Sequence, residues 1–314
     1  MFEAMANYLV YQTFAFSPQD PWGAALQFFL ADMPKLILLL TCSIFIISVI
    51  RSYVPPAKTK EFLTRRGKGA GHVLAALIGI ITPFCSCSAV PLFIGFIEGG
   101  VPLGVTFSFL ISSPMVNEVA LVLLFGLFGW KVALLYMASG VTIAILGGYI
   151  IGRLQLEHLL ESYAPENTVV NTVEFHNFSQ RCQSAARFTV ELLRYILPYL
   201  TVAIAIGGFI HGFVPEDFLT NYAGPDTIFA VPLAVIVGVP LYNSAGGMVP
   251  IVYSLIEKGL PLGTALAFMM AVSAISFPEM VILRKVLKTK LIGIFAGILA
   301  ISIICTGYLF NLVV

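Results

Sequence analysis

Apolar positions along the chain are grouped into long blocks. Eight such blocks can be recognised, each about 22 to 30 residues long. An α-helix rising 1.5 Å per residue needs about 20 residues to cross a hydrocarbon core of about 30 Å. The pattern therefore predicts an all-α polytopic membrane protein. The blocks run roughly over residues 24–53, 70–98, 102–126, 131–153, 186–213, 227–256, 261–283 and 289–313.

Composition agrees with this prediction. Hydrophobic residues make up 59% of the 314 and charged residues only 11%, whereas a soluble domain has roughly 25% charged residues. The net charge is +1 and no basic stripe interleaved with aromatic residues is present, so nucleic acid is not an expected partner. The first 23 residues hold neither Lys nor Arg, and we expect no removable signal peptide.

The chain contains an internal duplication. Residues 90–104 read VPLFIGFIEGGVPLG and residues 249–263 read VPIVYSLIEKGLPLG, the same frame displaced by 159 positions (249 minus 90). Repeats of this kind determine the architecture. The predicted regions are an N-terminal polar segment (1–23), a first transmembrane repeat (24–153), a polar linker (154–186) and a second transmembrane repeat (187–314), with four hydrophobic segments in each repeat.

Equivalent loops carry opposite charge. Residues 51–68 hold six Lys or Arg, while the equivalent residues 216–226 hold only acidic charges. The third connection reverses this bias, with a lone Lys131 in the first repeat and four basic residues within 284–290 in the second. Because cytoplasmic loops collect Lys and Arg, the two repeats are predicted to be inverted. Eight full spans in two parallel halves remain the alternative.

Inversion requires an odd number of crossings per repeat, so one segment must enter and leave on the same side. The second segment is interrupted in both repeats, by TPFCSCS at residues 82–88 and by VPLYNSAGG at residues 239–247. Proline and a neighbouring polar or Gly-rich run disfavour helix. We therefore expect a re-entrant hairpin in each repeat, with the two tips facing each other near the midplane.

The third segments are interrupted as well, at residues 112–118 and 273–279. Unwound backbone inside a bilayer is tolerated only where protein buries it or where it lines a cavity. In transporters with inverted repeats, such breaks bind substrate and coupling ion. The alternative is that Pro and Ser merely kink packed helices. The candidate substrate-binding residues are Cys85, Ser86, Cys87, Ser88, Ser112, Ser113, Asn117, Tyr242, Asn243, Ser244, Ser273 and Ser276.

Two of these candidates, Cys85 and Cys87, have no thiol counterpart in the second repeat. Thiolates are soft ligands that favour thiophilic centres. No His lies beside the pair, which disfavours zinc, and we expect neither a metal nor a cofactor. The alternative is that both are small buried apolar side chains.

Two carboxylates, Glu118 and Glu279, lie near like positions in the third segments. A carboxylate inside a membrane segment is costly and suggests an ion or proton pathway. We predict that they couple transport to protons. The alternative is that each lies at a water-filled helix end.

The run PFCSCSAVP at residues 83–91, with GGVPLG at 99–104 and SSPMVN at 112–117, resembles the YraQ-type family of predicted permeases, which includes organoarsenical efflux permeases. This resemblance implies a multi-pass permease of the bacterial inner membrane, and for characterised relatives the export of trivalent arsenicals. Many relatives carry Gly after the second cysteine, where this chain has Ser88.

The expected function is therefore secondary transport of a small solute or metalloid compound, such as efflux of a trivalent organoarsenical, rather than catalysis. One alternative is a membrane-embedded thiol oxidoreductase, which would need a partner redox centre. Another is a channel or permease for an unrelated small anion or metabolite. No GxxxxGK[ST] motif is present, so ATP would have to come from a partner protein.

Overall fold

The computed structural model describes most of the chain, and the helices are its main elements. Apart from one isolated bridge between Leu160 and Leu287, the regular structure within these residues is helical. The described residues are 2–17, 20–53, 60–61, 63, 68–81, 86–161, 178–213, 229–241, 245–284 and 286–313.

The N-terminal segment forms a short helix, α1 (Phe2–Asn7), which continues as a π-helical turn (Tyr8–Thr13). Ala6 and Val10 are fully buried, and the segment packs on the start of the next helix. The predicted polar segment is therefore folded against the first long helix.

After α1, six helices can be assigned within the described residues of the first half of the chain. The first and last of them are long, and the four between are short. They are α2 (Pro21–Arg51), α3 (Lys68–Ile81), α4 (Ser86–Glu98), α5 (Leu103–Met115), α6 (Glu118–Phe128) and α7 (Trp130–Arg153).

The second half repeats this order of long and short helices. Its elements are α8 (Phe178–Phe213), α9 (Ala230–Gly238), α10 (Ala245–Glu257), α11 (Leu262–Ala274), α12 (Phe277–Leu283) and α13 (Thr289–Val313). The packing pairs recur too, because α3, α4 and α7 pack on α5 while α9, α10 and α13 pack on α11.

Several helices are long and apolar enough to cross a membrane. Within the described residues four qualify, and the pair formed by α5 and α6, bent by 46°, would make a fifth. Three are Pro21–Ile50, Trp130–Arg153 and Thr289–Val313, and the fourth is the stretch Leu262–Val281, which runs from α11 into α12. The protein is therefore an α-helical multi-pass membrane protein. The apolar stretches Gly69–Ile81 and Met248–Glu257 are shorter.

The core lies around α5 and α11. Every residue of α5 is buried, and so is every residue of α11 after Leu262. Small residues let other helices approach closely: a Cβ built on Gly104 of α5 would lie 2.5 Å from the carbonyl oxygen of Gly148 in α7. The crossing recurs 159 positions later, where Gly263 of α11 lies against Gly307 of α13. Helices α5 and α11 are thus buried in the centre of the helical packing.

Candidate functional site

The third segment of the first half is broken between α5 and α6. The amide of Val116 still donates to the Ser112 carbonyl at 2.9 Å, after which the chain leaves the helix. Asn117 then caps α6, since its Oδ1 accepts from the amides of Val119 and Ala120 at 3.0 and 3.2 Å. Such a cap stabilises a helix by about 1 kcal/mol. The break is therefore a defined turn between two helices.

The corresponding break in the second half separates α11 from α12. Ile275 donates its amide to the Ala271 carbonyl at 3.0 Å, and the carbonyl of Ser276 accepts from Met280 at 3.2 Å to begin α12. The amide of Phe277 donates to the carbonyl of Val239 at 3.0 Å. Because Val239 lies in the interruption of the second segment, the two breaks of this half are in direct contact.

The two breaks of the first half are close to each other as well. A Cβ built on Gly79, near the end of α3, would overlap the Ser112 hydroxyl and lie 2.9 Å from the carbonyl oxygen of Phe109. The residue 159 positions later is Gly238, where a Cβ would lie 2.9 Å from the Ala271 Cβ. In each half, the arm that leads into the first break thus packs directly against the helix that leads into the second.

The two halves contact each other through the helices of these interrupted segments. Helix α5 packs on α11, α4 packs on α12, and α6 packs on α10, where the rings of Phe128 and Tyr253 are 5.9 Å apart. The helix that begins with Ser86 and Cys87 therefore contacts the helix that carries Glu279. The four interrupted segments therefore contact one another, both within each half and between the halves.

Several predicted site residues, or their side chains, lie outside the part of the chain that the structure describes. Cys85, Tyr242, Asn243 and Ser244 lie outside the described residues. The structure places only the backbone of Ser86, Cys87 and Ser88, in the first turn of α4. The predicted opposition of the thiols and the Tyr242–Ser244 segment stays a prediction.

The predicted serines differ in their hydrogen bonding. Ser112 donates its hydroxyl to the Phe109 carbonyl at 3.1 Å, and Ser273 donates to the Met269 carbonyl at 2.9 Å. Ser113 is 2% exposed, and its hydroxyl has no hydrogen-bond partner among the described residues. Of these three, only Ser113 has a hydroxyl without a hydrogen-bond partner among the described residues.

The two candidate carboxylates lie in unlike surroundings. Glu118 is the first residue of α6 and is exposed, whereas Glu279 is the third residue of α12 and is 1% exposed. A displacement of 159 positions pairs Glu118 with Phe277 and Glu279 with Ala120. The repeats therefore place one carboxylate in each break at different helical positions, and only Glu279 is enclosed by protein.

Sequence reasoning missed a buried polar contact near the middle of α5. His72 of α3 is 7% exposed, and its Nδ1 lies 2.9 Å from the Ser108 hydroxyl. The same hydroxyl lies 3.3 Å from the Gly104 carbonyl oxygen. The positions 159 residues later are Val231 and Ala267. A position-by-position comparison of the repeats would have revealed this polar pair.

The same comparison reveals Tyr136 of α7. Its side chain is fully buried, and its hydroxyl has no hydrogen-bond partner among the described residues. The second repeat has Phe295 at the corresponding position (295 minus 136 is 159). The polar residues that distinguish the two repeats are therefore not confined to the cysteines.

Comparison with known proteins identifies the type of protein. The family model described as "Predicted permease" matches residues 21–312. The chain is 23% identical to the UPF0718 protein MJ0584 of Methanocaldococcus jannaschii, over 81% of this chain and 85% of that protein. It is 24% identical to a putative two-component membrane permease complex subunit of Streptococcus mutans, over 81% and 84%. It is 23% identical to the UPF0718 protein YraQ of Escherichia coli, over 92% and 81%. No solved structure matches it.

Proposed function

This chain belongs to the predicted-permease family, and from that premise we propose that it is a secondary permease of two inverted repeats that exports a thiophilic solute from the cell. A trivalent organoarsenical is the type of solute that best fits the soft thiols of Cys85 and Cys87. The observation that carries the proposal is that four interrupted membrane segments contact one another, both within each half and between the halves.

The positions of the equivalent residues Gly104 and Gly263 support the inversion of the two repeats. Gly104 packs against Gly148 and Gly152, near the end of α7, and the bridge between Leu160 and Leu287 joins that end to the start of α13. Gly263, the residue equivalent to Gly104, packs against the far end of α13, where the Gly263 amide donates to Asn311 Oδ1 at 2.8 Å. A helix of 25 residues is about 37 Å long. Equivalent residues therefore lie at opposite ends of the molecule.

The hairpin in the first repeat is supported by the direction of its arms. Gly71 at the start of α3 lies against Val105, and Gly79 near its end lies against Ser112. Helix α3 thus runs parallel to α5, which begins only a few residues after α4 ends. The start of α3 and the end of α4 are therefore at the same end of the molecule. With 14 and 13 residues, the arms are about 20 Å long, too short to span.

The orientation is supported by the charges at one end. Arg153 ends α7, Arg284 pairs with Glu161 at 3.0 Å, and the ammonium of Lys288 donates to the His158 carbonyl at 3.1 Å. Because basic residues collect on the cytoplasmic side, we assign this end to the cytoplasm. We also propose that the membrane is the inner membrane of a bacterial cell, as the resemblance to the YraQ-type permeases implies.

In this proposal the solute binds between the repeats, near the midplane, through Cys85 and Cys87. The buried carboxylate of Glu279 takes up and releases a proton as the site alternates between the two sides. Close crossings such as that of Gly104 with Gly148 hold each repeat as a unit. Rocking of one repeat against the other then exposes the site first to the cytoplasm and afterwards to the outside.

A stability assay tests the assignment of the solute. Purified protein is heated with and without trivalent methylarsenite, because a ligand that binds the folded state raises its apparent stability. We expect a rise in Tm for the wild type and none for the double variant Cys85→Ser, Cys87→Ser, while pentavalent methylarsonate, which does not bind thiols, serves as the control ligand. An equal rise in both proteins would mean that the thiols do not bind the solute.

A partner subunit is a second element of the proposal. It rests on the Streptococcus mutans relative, whose name describes a subunit of a two-component membrane permease complex. We expect this chain to be recovered from native membranes in a complex larger than its own mass of 34.0 kDa and containing a different polypeptide. Recovery as a monomer or a homo-oligomer with full transport would contradict this element alone.

A further inference from the structure

Tyr136 carries a polar group where its counterpart in the second repeat has none. Its side chain is 0% exposed, and its hydroxyl has no hydrogen-bond partner among the described residues. The counterpart Phe295 is 1% exposed, and its ring centroid lies 5.4 Å from that of Phe107. Phenylalanine therefore fills the corresponding space in the other repeat. Packing gives no reason for the hydroxyl of Tyr136, and an unpaired buried hydroxyl is destabilising.

The position of Tyr136 connects it to the site. It lies one helical turn before Gly140, on the same face of α7. A Cβ built on Gly140 would lie 2.8 Å from Val116 Cγ2 and 3.7 Å from the Met115 Cβ. Val116 is the first residue of the break between α5 and α6. Tyr136 is therefore on the face of α7 that packs on this break.

A second hydroxyl of the same break is also unpartnered. Ser113 is 2% exposed, and no described residue hydrogen-bonds its Oγ. Its counterpart 159 positions later is Val272, which is also buried. Two hydroxyls at one break, each replaced by an apolar side chain in the other repeat, indicate a role that only the first repeat performs.

We infer that Tyr136 lines the solute path and hydrogen-bonds an oxygen atom of the transported solute when the path opens, which makes it a specificity-determining residue. The arsenic-bound hydroxyls of a trivalent organoarsenical have the required chemistry until the thiols of Cys85 and Cys87 displace them as water, and Ser113 supplies a second hydrogen bond. The hydroxyl that is unpaired in the closed form gains its partner in the open form. This inference rests on the proposed permease function but does not depend on the identity of the solute.

Hydroxyl-radical labelling tests the position of Tyr136 without a solute. The full-length variant Tyr136→Phe in lipid nanodiscs would be labelled and analysed by mass spectrometry. The substitution gives position 136 the same intrinsic reactivity as Phe295. Both positions are buried here, and we expect position 136 to be labelled several times faster because the path opens to water on its side. Equal labelling rates would overturn the inference.

A second measurement tests the hydrogen bond. Removing an unpaired hydroxyl should leave the solute-free Tm of Tyr136→Phe unchanged or raised, while the rise in Tm caused by trivalent methylarsenite becomes smaller. A lower solute-free Tm would mean that the hydroxyl has a structural partner, which would overturn the inference. If the wild type fails to respond to methylarsenite while position 136 is labelled faster than Phe295, the arsenical assignment fails and the place of Tyr136 in the path stands.

Discussion

Replacing Gly148 by Ala perturbs the close crossing of α5 and α7 in the first repeat. A Cβ at this position would overlap the Ser108 hydroxyl, and it would lie 2.5 Å from the Gly104 carbonyl oxygen and 2.8 Å from the Ser108 amide nitrogen. Because two of these atoms belong to the backbone, a side-chain rotation cannot relieve the overlap. Overpacking of this kind costs about 3 kcal/mol, and the better helix propensity of Ala returns about 1 kcal/mol. The net loss is about 2 kcal/mol.

Two further glycines provide graded controls. A Cβ on the equivalent Gly307 would lie 2.6 Å from Val231 Cγ1, 2.8 Å from the Ala267 Cβ and 3.2 Å from the Gly263 carbonyl oxygen. Because its contact with the backbone is longer than those at Gly148, Gly307→Ala should be milder. Nothing lies within 4 Å of a Cβ on Gly297, so Gly297→Ala should be neutral or stabilising. Thermal unfolding in detergent should place Gly148→Ala about 4–8 °C below the wild type. If Gly148→Ala were as stable as Gly297→Ala, the argument from close helix crossing would be refuted.

Three further predictions concern topology, coupling and the break itself. Cysteines introduced by Lys60→Cys and Thr220→Cys should be labelled from opposite sides of the membrane, and labelling from one side would favour eight spans in two parallel halves. Glu279→Gln should change the pH dependence of transport more than Glu118→Gln, because only Glu279 is buried, and equal changes would contradict that reasoning. Asn117→Ala should lower the free energy of unfolding by about 1 kcal/mol through loss of the α6 cap, whereas an unchanged denaturation midpoint would mean that the cap contributes nothing.

The interrupted segments could be located from sequence because their signals are local. Pro and Ser predicted a break within residues 112–118, and α5 ends at Met115 while α6 begins at Glu118. Pro114 itself remains inside α5, so the helix ends after the proline rather than at it. The duplication could also be recognised from the sequence. Its displacement of 159 positions is preserved in the packing of Gly104 and Gly263.

The environment of individual polar groups could not be predicted in this way. Glu118 and Glu279 are both carboxylates beside a break, yet one is exposed and the other is 1% exposed. Burial depends on which helices cover each position, and those helices are distant in sequence. Tyr136 gives no local signal for the same reason, since an isolated tyrosine in an apolar helix is common in membrane proteins. The role that we propose for it rests on its burial, on a hydroxyl without a partner among the described residues, and on its counterpart Phe295, taken together.

Counterflow in proteoliposomes tests the central claim, that the chain is a permease for a thiophilic solute. Vesicles containing the purified protein would be loaded with unlabelled trivalent methylarsenite, diluted, and supplied with a trace of the isotopically labelled compound outside. A permease exchanges the two, so we expect transient accumulation of label that is lost in the double variant Cys85→Ser, Cys87→Ser. Accumulation no greater than in protein-free vesicles, or unchanged accumulation in the double variant, would contradict the claim.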